Sequence, residues 1–262
     1  MRVGARFDGR LRAGAPVPQR GLTVAEVAAN VRYFTVQREG PRSRAVTRLV
    51  LSGVSEADEA LAEVVRQARS HHIEHVVVHC ADDAAAVAGG PLGAVADEVV
   101  AALSTTSAAP CPAGMTASIA LTAEALADLP RLVARAAAAR RLVFTWPFPV
   151  PGAPPPPPAA ACVGALMALP PRAGGWAVKG LPPCVWPGGA APFVPWRTSN
   201  RFYVDADHQL AQALVFFPDV VRWAKPDTCR RCAVDVQCDG VVGAWLDRGL
   251  LPPLEPLEPP NA

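Results

Sequence analysis

The chain has 262 residues and a formal net charge of +2, from 25 basic and 23 acidic side chains. Hydrophobic residues make up 51% and charged residues 18%, which allows a sizeable core and excludes general disorder. The balanced charge excludes a basic field for sequence-independent nucleic-acid binding, and no apolar run predicts a membrane span. The first residues lack the apolar segment of a secretory signal. We therefore expect a cytoplasmic protein whose clustered cysteines serve metal or redox chemistry.

The first two-thirds of the chain alternates predicted strands with predicted helices. Short apolar or β-branched runs predict strands at 2–7, 47–53, 75–80, 116–122, 140–146 and 175–181. Apolar residues at helical spacing predict helices at 24–38, 56–71, 94–105, 123–139 and 161–169.

Three of these helices have recognisable start signals. Thr23 and Glu26 form a capping box, and Ser55 and Thr122 are positioned to cap the second and fourth helices. Pro130 is expected either to kink the fourth helix or to split off its first turns.

Strands that alternate with single helices imply parallel pairing with right-handed crossovers. We predict an α/β fold: a partial (β/α)6 TIM-like barrel over residues 1–181, with a doubly wound sheet as the alternative. The alternation stops in residues 182–262, which form an irregular Cys-rich C-terminal region. Within that region we predict one helix, at 206–217, and a tail from residue 250 that is an extended strap or a disordered end.

The strongest local signal is a C-x2-C-x5-C array formed by Cys229, Cys232 and Cys238. A tight turn can direct two thiolates three residues apart toward one metal. Three ligands complete neither a structural zinc site nor a fully ligated iron–sulfur cluster, and we predict Cys184 as the fourth. The spacing accepts a [4Fe–4S] cluster or zinc, and the alternative is a group of small buried residues that bind no metal.

We interpret the remaining cysteines and most of the histidines as structural residues without a chemical role. The isolated cysteines are expected in the core: Cys80, Cys111 and Cys162. No H-E-x-x-H pattern is present, so the following histidines are interpreted as structural: His71, His72, His75 and His79.

Four parts of the chain resemble successive parts of one enzyme family: residues 22–34, 48–80 and 144–152, and the array of Cys184, Cys229, Cys232, Cys238 and Gly240. The family is the radical S-adenosylmethionine (radical SAM) family, with a C-terminal auxiliary-cluster region of the SPASM or twitch kind. The resemblance spans most of residues 20–255. It implies an auxiliary [4Fe–4S] cluster at the four cysteines.

The differences between this chain and the family all affect one activity, the generation of a radical. The family's C-x3-C-x2-C loop, which holds the radical-generating cluster, is replaced by residues 8–21, which contain no cysteine. Its GGEP segment, which contacts the cofactor, keeps only Gly53, with Val54, Ser55 and Glu56 in the other positions. The resemblance therefore implies a barrel that has lost the radical site and kept an auxiliary metal site.

The function implied is that of a non-catalytic partner or substrate-recognition subunit in peptide natural-product modification. Its expected partner is a protein or peptide, for example an active radical SAM enzyme, and neither nucleic acid nor a membrane. A different hypothesis is an enzyme that uses the barrel mouth, with His79 and Glu56 at the carboxyl ends of strands. A zinc-stabilised binding module and an electron-transfer subunit are two more functions that the cysteine array allows.

Overall fold

The computed structural model describes the greater part of the chain. The described residues are 2–4, 21–37, 46–54, 58–80, 83–147, 155–172, 175–187, 201–216, 223–238 and 240–258.

The strands are β1 (Arg2–Gly4), β2 (Arg48–Val54), β3 (His75–Cys80), β4 (Glu98–Leu103), β5 (Thr116–Ala120), β6 (Arg141–Thr145), β7 (Ala177–Lys179), β8 (Arg201–Val204), β9 (Leu214–Phe216), β10 (Trp223–Ala224) and β11 (Val241–Val242). The α-helices are α1 (Val24–Arg32), α2 (Glu59–Ser70), α3 (Ala84–Gly89), α4 (Pro91–Val95), α5 (Ala123–Ala127), α6 (Leu129–Arg135), α7 (Ala159–Met167) and α8 (Gly243–Asp247). All six predicted strands are confirmed: the one at 75–80 has the predicted ends, and the others differ by up to three residues at an end.

Nine strands form one sheet in the order β7-β6-β5-β4-β3-β2-β1-β8-β9. Strands β1 to β8 pair in parallel, and β9 pairs antiparallel with β8. The α/β class is confirmed. Seven strands follow one another in chain order, as in a singly wound sheet. Within the described residues β7 and β9 are the outer strands, so closure into a barrel is not shown.

The two faces of the sheet have different surroundings. Alternate strand residues point to opposite faces, and one set packs with the helices into a single hydrophobic core: Leu49, Leu51, Val76, Val78, Cys80, Ala101, Leu103, Ala117, Ile119, Leu142, Phe144 and Val178. The intervening residues form what we call the second face: Val50, Ser52, Val77, His79, Val100, Ala102, Ser118, Ala120, Val143, Thr145, Ala177 and Lys179. Right-handed crossovers between strands in chain order explain why the helices share one face.

The helix starts follow the predicted signals in two cases out of three. Thr23 and Glu26 form the capping box of α1, and the Thr122 hydroxyl caps α5. Pro130 lies in the first turn of α6, so the fourth predicted helix is split into α5 and α6. The second helix begins later than predicted, because Asp58 caps it; Ser55 lies outside the described residues.

The helix predicted at 94–105 is wrong. The chain forms the short helix α4 and then strand β4, which pairs with β3 and β5 on its two sides. Asp97 separates the two elements by accepting hydrogen bonds from the Val76 N–H at 2.6 Å and from Arg69 at 2.7 Å. A run of apolar residues in a central strand has no period-two pattern, so periodicity does not distinguish it from a buried helix.

The helix predicted at 206–217 is also wrong. The chain makes a turn after β8, a short 3-10 helix at Leu210–Gln212, and then strand β9. The carboxylate of Asp205, 1% exposed, accepts hydrogen bonds from the amides of Asp207 and His208 and from His208 Nδ1. This buried turn reverses the chain and lets β9 pair with β8.

Two further predictions concern the end of the first helix and the boundary between the two predicted regions. The helix expected over 24–38 ends at Arg32 and continues as a π-helical turn at Tyr33–Gln37. The predicted division at residue 181 stays a prediction, although β8 and β9, which lie beyond it, belong to the same sheet as β1. Among the described residues, none of the helices has the length and apolar character that crossing a membrane requires.

Asn30 connects the first helix to the segment after β8, and we expect its loss to destabilise the fold. Its fully buried amide donates to the Glu26 carbonyl at 2.7 Å and to Gln209 Oε1 at 3.0 Å, and it accepts from the Leu210 N–H at 2.7 Å. Asn30→Ala leaves buried polar groups unpaired, which should lower the free energy of unfolding by about 1–3 kcal/mol. Urea denaturation measures this change. The exposed control Gln67→Ala should change this free energy by less than about 0.5 kcal/mol; equal losses would contradict the prediction.

Candidate metal centre

Three of the four predicted ligands lie on one loop, residues 225–240. Strands β10 and β11 close its base, where Ala224 pairs with Val241. Across the loop, Lys225 Nζ donates to the carbonyl of Asp235 at 2.7 Å and to its carboxylate at 2.8 Å. The loop is therefore held at its base and across its width by described contacts.

The C-x2-C part of the loop is a tight turn, as predicted. Cys229 lies in a 3-10 helix at Asp227–Arg231, and Cys232 ends that helix with its N–H donating to the Cys229 carbonyl at 3.0 Å. A second turn follows, in which the Cys238 N–H donates to the Val234 carbonyl at 2.9 Å. Because of these two successive turns, the three cysteines lie closer together than they would in an extended chain.

Cys184 reaches the same neighbourhood from a different part of the chain. It lies in a 3-10 helix at Pro183–Val185, shortly after β7. Burial, together with the negative charges of Cys238, Cys229 and Cys232, raises the pKa of the Cys184 thiol to about 12. Coulombic interactions weaken with distance, so Cys184 lies near enough to the three loop cysteines for their charges to act on it. All seven cysteines are described, and none forms a disulfide.

The charges around Cys229 show the same coupling. Burial raises the pKa of this thiol, and so do the charges of Cys238 and Cys232, whereas the Lys225 ammonium lowers it. The mutual effect of the sulfurs follows from like-charge repulsion, which disfavours ionisation of any one thiol beside the others. A bound cation would remove this penalty, because metal-binding thiols lose their protons.

Backbone amides donate to two of the four sulfurs. The Gly240 N–H donates to Cys238 Sγ at 3.3 Å, and the Leu257 N–H donates to Cys232 Sγ at 3.4 Å. Hydrogen bonds to ligand sulfurs orient metal ligands and adjust the reduction potential of iron–sulfur clusters. These two amides therefore support Cys232 and Cys238 as ligands.

Gly240 is required where it stands. Its φ is +84°, which favours glycine. A Cβ added there would lie 2.5 Å from the Ala224 carbonyl oxygen and 2.8 Å from Lys225 Cγ. Glycine thus lets the chain leave the last cysteine and enter β11 while its amide faces sulfur.

The four thiols are neighbours and do not form a closed ligand set. Among the described residues, no three His, Cys, Asp or Glu side chains are arranged to hold a metal ion as they stand. The thiols affect one another's pKa although they are not arranged to hold a metal, because Coulombic effects extend beyond metal–ligand bonding distance. We take the coupling as evidence of proximity only, and closure of the site requires the sulfurs to approach one another.

An orphaned polar atom lies two residues from Cys184. The indole Nε1–H of Trp186 is buried, and it has no hydrogen-bond partner within the described part of the chain. An unpaired buried donor is costly and in native proteins often marks an absent ligand or ion. The four thiols and the two amide donors to sulfur have the chemistry of a thiolate metal site, but their described arrangement does not form one.

The other three cysteines behave as core residues, as predicted. Cys80, Cys111 and Cys162 are buried with 2% or less of their surface exposed. Burial raises the pKa of Cys80 and Cys162 to about 12 and raises that of Cys111 as well. These thiols remain protonated at neutral pH and lack the thiolate character of reactive cysteines.

A second group of polar residues lies on the second face, near the carboxyl ends of the strands. Ser52, His79, Thr145 and Lys179 are each partly buried there. Sequence reasoning named His79 and missed the other three, although their alternation with core residues is a signal for a half-exposed strand. Glu56 and residues 8–20 lie outside the described residues.

Comparison of the chain with protein-family models, with curated protein sequences and with solved structures gave no match in any of the three. The resemblance to radical SAM proteins accordingly stays a prediction that rests on the residues named above. The candidate centre is supported by its own contacts.

Gly240→Ala should disrupt the cysteine loop more than a matched glycine substitution elsewhere. Gly249 has a similar φ of +66° but open space where a Cβ would lie, so Gly249→Ala measures the backbone cost alone, about 1–2 kcal/mol. We expect Gly240→Ala to lower the free energy of unfolding by at least about 1 kcal/mol more, because the Ala224 carbonyl must move. Urea denaturation of both variants checks this; equal losses would show that the close approach is not restrictive.

Proposed function

We propose that the protein is a non-catalytic, radical-SAM-like iron–sulfur protein that acts as a partner or substrate-recognition subunit. In this proposal Cys184, Cys229, Cys232 and Cys238 bind a [4Fe–4S] cluster, with zinc as the alternative occupant. The observation that supports the proposal is the electrostatic effect of three loop cysteines on Cys184, together with backbone hydrogen bonds to the sulfurs of Cys238 and Cys232.

The sheet supports a barrel as the scaffold. Strands β1 to β7 follow chain order, and β8 adds beside β1, which is the neighbour it would have in a circular order of strands. Cys184 follows the carboxyl end of β7, and barrel proteins place their functional groups at that end. A partial barrel with the metal centre beside its mouth is consistent with these positions.

The lack of catalysis is inferred from the sequence. A radical SAM enzyme needs three cysteines in a C-x3-C-x2-C loop, and the chain has no cysteine before Cys80. An auxiliary centre beside a barrel without a radical site retains the surface that recognises a peptide or protein. Peptide natural-product modification in the cytoplasm is the setting that the resemblance implies.

Metal analysis tests the centre directly. Anaerobically purified protein should contain about four irons and four sulfides per chain and absorb broadly near about 400 nm. The substitutions Cys184→Ala, Cys229→Ala, Cys232→Ala and Cys238→Ala should each remove most of the iron. The matched control Cys111→Ala, at a buried cysteine outside the cluster, should keep it.

Three outcomes would redirect or refute the proposal. Colourless protein with one zinc per chain would identify a zinc-stabilised binding module. Formation of 5′-deoxyadenosine from S-adenosylmethionine and dithionite would show an active radical enzyme and refute a non-catalytic role. A reversible redox wave that Cys229→Ala loses would favour an electron-transfer subunit.

The partner role needs its own experiment. Wild-type and Cys229→Ala proteins serve as baits in the native cell extract, and mass spectrometry identifies what each retains. Enrichment of a radical SAM enzyme or of a short precursor peptide by the wild type supports the proposal. Identical retention by both baits would separate any binding from the metal centre.

The second face supports a second candidate function, a small-molecule or catalytic site at the mouth of the sheet. Parallel sheets are normally covered on both faces, yet Ser52, Ser118, Thr145 and Lys179 on this face retain partial exposure. Hydroxyl groups with an ammonium and an imidazole suit an anionic, hydroxyl-bearing ligand. His79 is the residue there that can transfer a proton near neutral pH.

Native mass spectrometry of the purified protein and a thermal-shift screen of nucleoside phosphates and hydroxy acids test this candidate. If a ligand raises the melting temperature, Lys179→Ala should weaken its Kd by at least about tenfold, or 1.4 kcal/mol. Arg172→Ala, at a cation that donates to the carbonyls of Ala136 and Gly175, is the control. Absence of any stabilising ligand, or equal effects of both variants, would remove this candidate.

A further inference from the structure

A histidine and a buried carboxylate form a pair directly after β8. The Nδ1 atom of His208 lies 2.9 Å from Asp205 Oδ1, which also accepts from the amides of Asp207 and His208 at 3.0 Å and 2.9 Å. A carboxylate can only accept hydrogen bonds, so Nδ1 is the donor and carries the ring proton. In the neutral ring the other nitrogen, Nε2, therefore presents a lone pair that can accept a proton.

The Nε2 atom of His208 is accessible, although its partner carboxylate is not. The side chain of His208 is 22% exposed and that of Asp205 is 1% exposed. No described residue bonds to Nε2, and in the described part of the chain the one side-chain nitrogen or oxygen that is both buried and unpaired belongs to Trp186. Nε2 is therefore open to solvent or to a ligand, while the carboxylate that orients the ring is almost removed from water.

Contacts with α1 fix the turn that carries the pair. The Gln209 side chain donates to the Ala206 carbonyl at 3.1 Å and accepts from the Asn30 amide at 3.0 Å. The side-chain oxygen of Asn30 accepts from the Leu210 N–H at 2.7 Å. Leu210 itself is held in the left-handed region, at a φ of +51°, which is costly for a leucine. The residues that follow His208 are thus fixed by the fold, and so is the position from which its ring extends.

The pair lies at the carboxyl edge of the sheet, where parallel α/β folds place their functional groups. Val204 is level with Val3, and the next residue of β1, Gly4, is level with Ser52. Asp205 follows Val204, a core residue, so strand alternation places Asp205 level with Ser52 on the second face. Adjacent strands lie about 4.8 Å apart, which puts these two residues about 10 Å apart across a glycine. Among the described side chains, this spacing leaves room for a small molecule beside the imidazole.

We propose that His208 and Asp205 form a general-base dyad that hydrolyses neutral small-molecule esters at this edge of the sheet. His208 is the catalytic residue, because its Nε2 contacts the attacking water. Asp205 is a positioning residue, which orients the ring and stabilises it once it is protonated. The inference goes beyond both functions proposed above: it needs neither the cysteines nor Lys179, and it concerns hydrolysis, whereas the non-catalytic role concerns radical chemistry.

The dyad returns to its starting state in each cycle. Nε2 takes one proton from water while the water oxygen bonds to the acyl carbon and the carbonyl π pair moves onto the carbonyl oxygen. The tetrahedral intermediate then re-forms the carbonyl and breaks the bond to the alcohol oxygen, which takes the proton back from Nε2. The products are an acid and an alcohol, and no oxidant or reductant is consumed.

Two features favour a neutral ester as the substrate class. A base alone suffices for this reaction, because water is the nucleophile and the dyad both takes and returns the proton. Asp205 and Asp207 give the turn a negative charge, which disfavours an anionic substrate through like-charge repulsion.

Diethyl pyrocarbonate labelling of the intact protein tests whether Nε2 is accessible. The reagent acylates a free imidazole lone pair, and peptide mass spectrometry distinguishes the five histidines. We expect His208 to be labelled as readily as His75, although the side chain of His75 is 43% exposed. If His208 stays unlabelled while His75 reacts, the proposal is overturned.

Steady-state hydrolysis of p-nitrophenyl acetate, a neutral ester, tests the activity of the full-length protein. His208→Gln should lower kcat/KM by about 100-fold. His75→Gln, which removes a histidine 3.6 Å from the carboxylate of Asp97, is the matched control and should leave kcat/KM unchanged. Asp205→Asn keeps an acceptor oxygen and removes the charge, and it should lower kcat about tenfold at constant KM, because Asp205 does not touch the substrate.

The outcomes decide the proposal separately from the metal centre. Losses in His208→Gln and Asp205→Asn at an unchanged melting temperature, with full activity in His75→Gln, support the dyad. Turnover by the wild type that is no faster than by His208→Gln overturns it, even if Asp205→Asn fails to fold, since His208→Gln leaves the carboxylate and its two amide bonds in place. Faster hydrolysis of the anionic p-nitrophenyl hemisuccinate than of the acetate overturns the substrate class. The rate should be the same with and without a chelator, so failure of either proposal leaves the other standing.

Discussion

Four cysteine sulfurs cannot all carry charge at close range unless a cation offsets their repulsion. This constraint governs the C-terminal part of the protein. Cys184 is half buried, and its burial and the charges of three other cysteines disfavour its ionisation. Protons offset the repulsion when the sulfurs are thiols, and a metal offsets it when they are thiolates. The amides of Gly240 and Leu257 donate to two of these sulfurs and would stabilise negative charge on them.

The sheet supplies the frame on which the cysteines meet. Cys184 follows β7 directly, and the loop with the other three is closed by the β10–β11 ladder. Trp245, in the helix that follows β11, donates from its indole to the Pro147 carbonyl at 3.0 Å, and its ring lies 6.2 Å from that of Trp146. Aromatic packing of this kind is worth about 0.5–1.5 kcal/mol beyond burial. It fastens the cysteine region to the end of β6.

Sequence reasoning succeeded where a residue's local neighbours decide the outcome. The caps at Thr23 and Thr122, the split at Pro130 and the six β-branched strands were predictable because caps, proline and local periodicity act within a few residues. It failed at β4 and β9, because each is a strand only through pairing with other strands, which no local pattern in its own residues shows. The buried turn at Asp205 was likewise unmarked, since burial of a carboxylate depends on what packs over it.

The sequence by itself determined the α/β class, the C-x2-C-x5-C spacing of three cysteines and the absence of a C-x3-C-x2-C loop. These follow from composition, periodicity and spacing, which are properties of the chain alone. Only the tertiary structure decided that Cys184 lies within electrostatic reach of the other three cysteines and that the Leu257 amide donates to Cys232. It also decided that one face of the sheet packs with the helices and that the other carries both apolar residues and partly exposed polar ones. Such relations depend on long-range packing, which brings together residues that no local pattern connects.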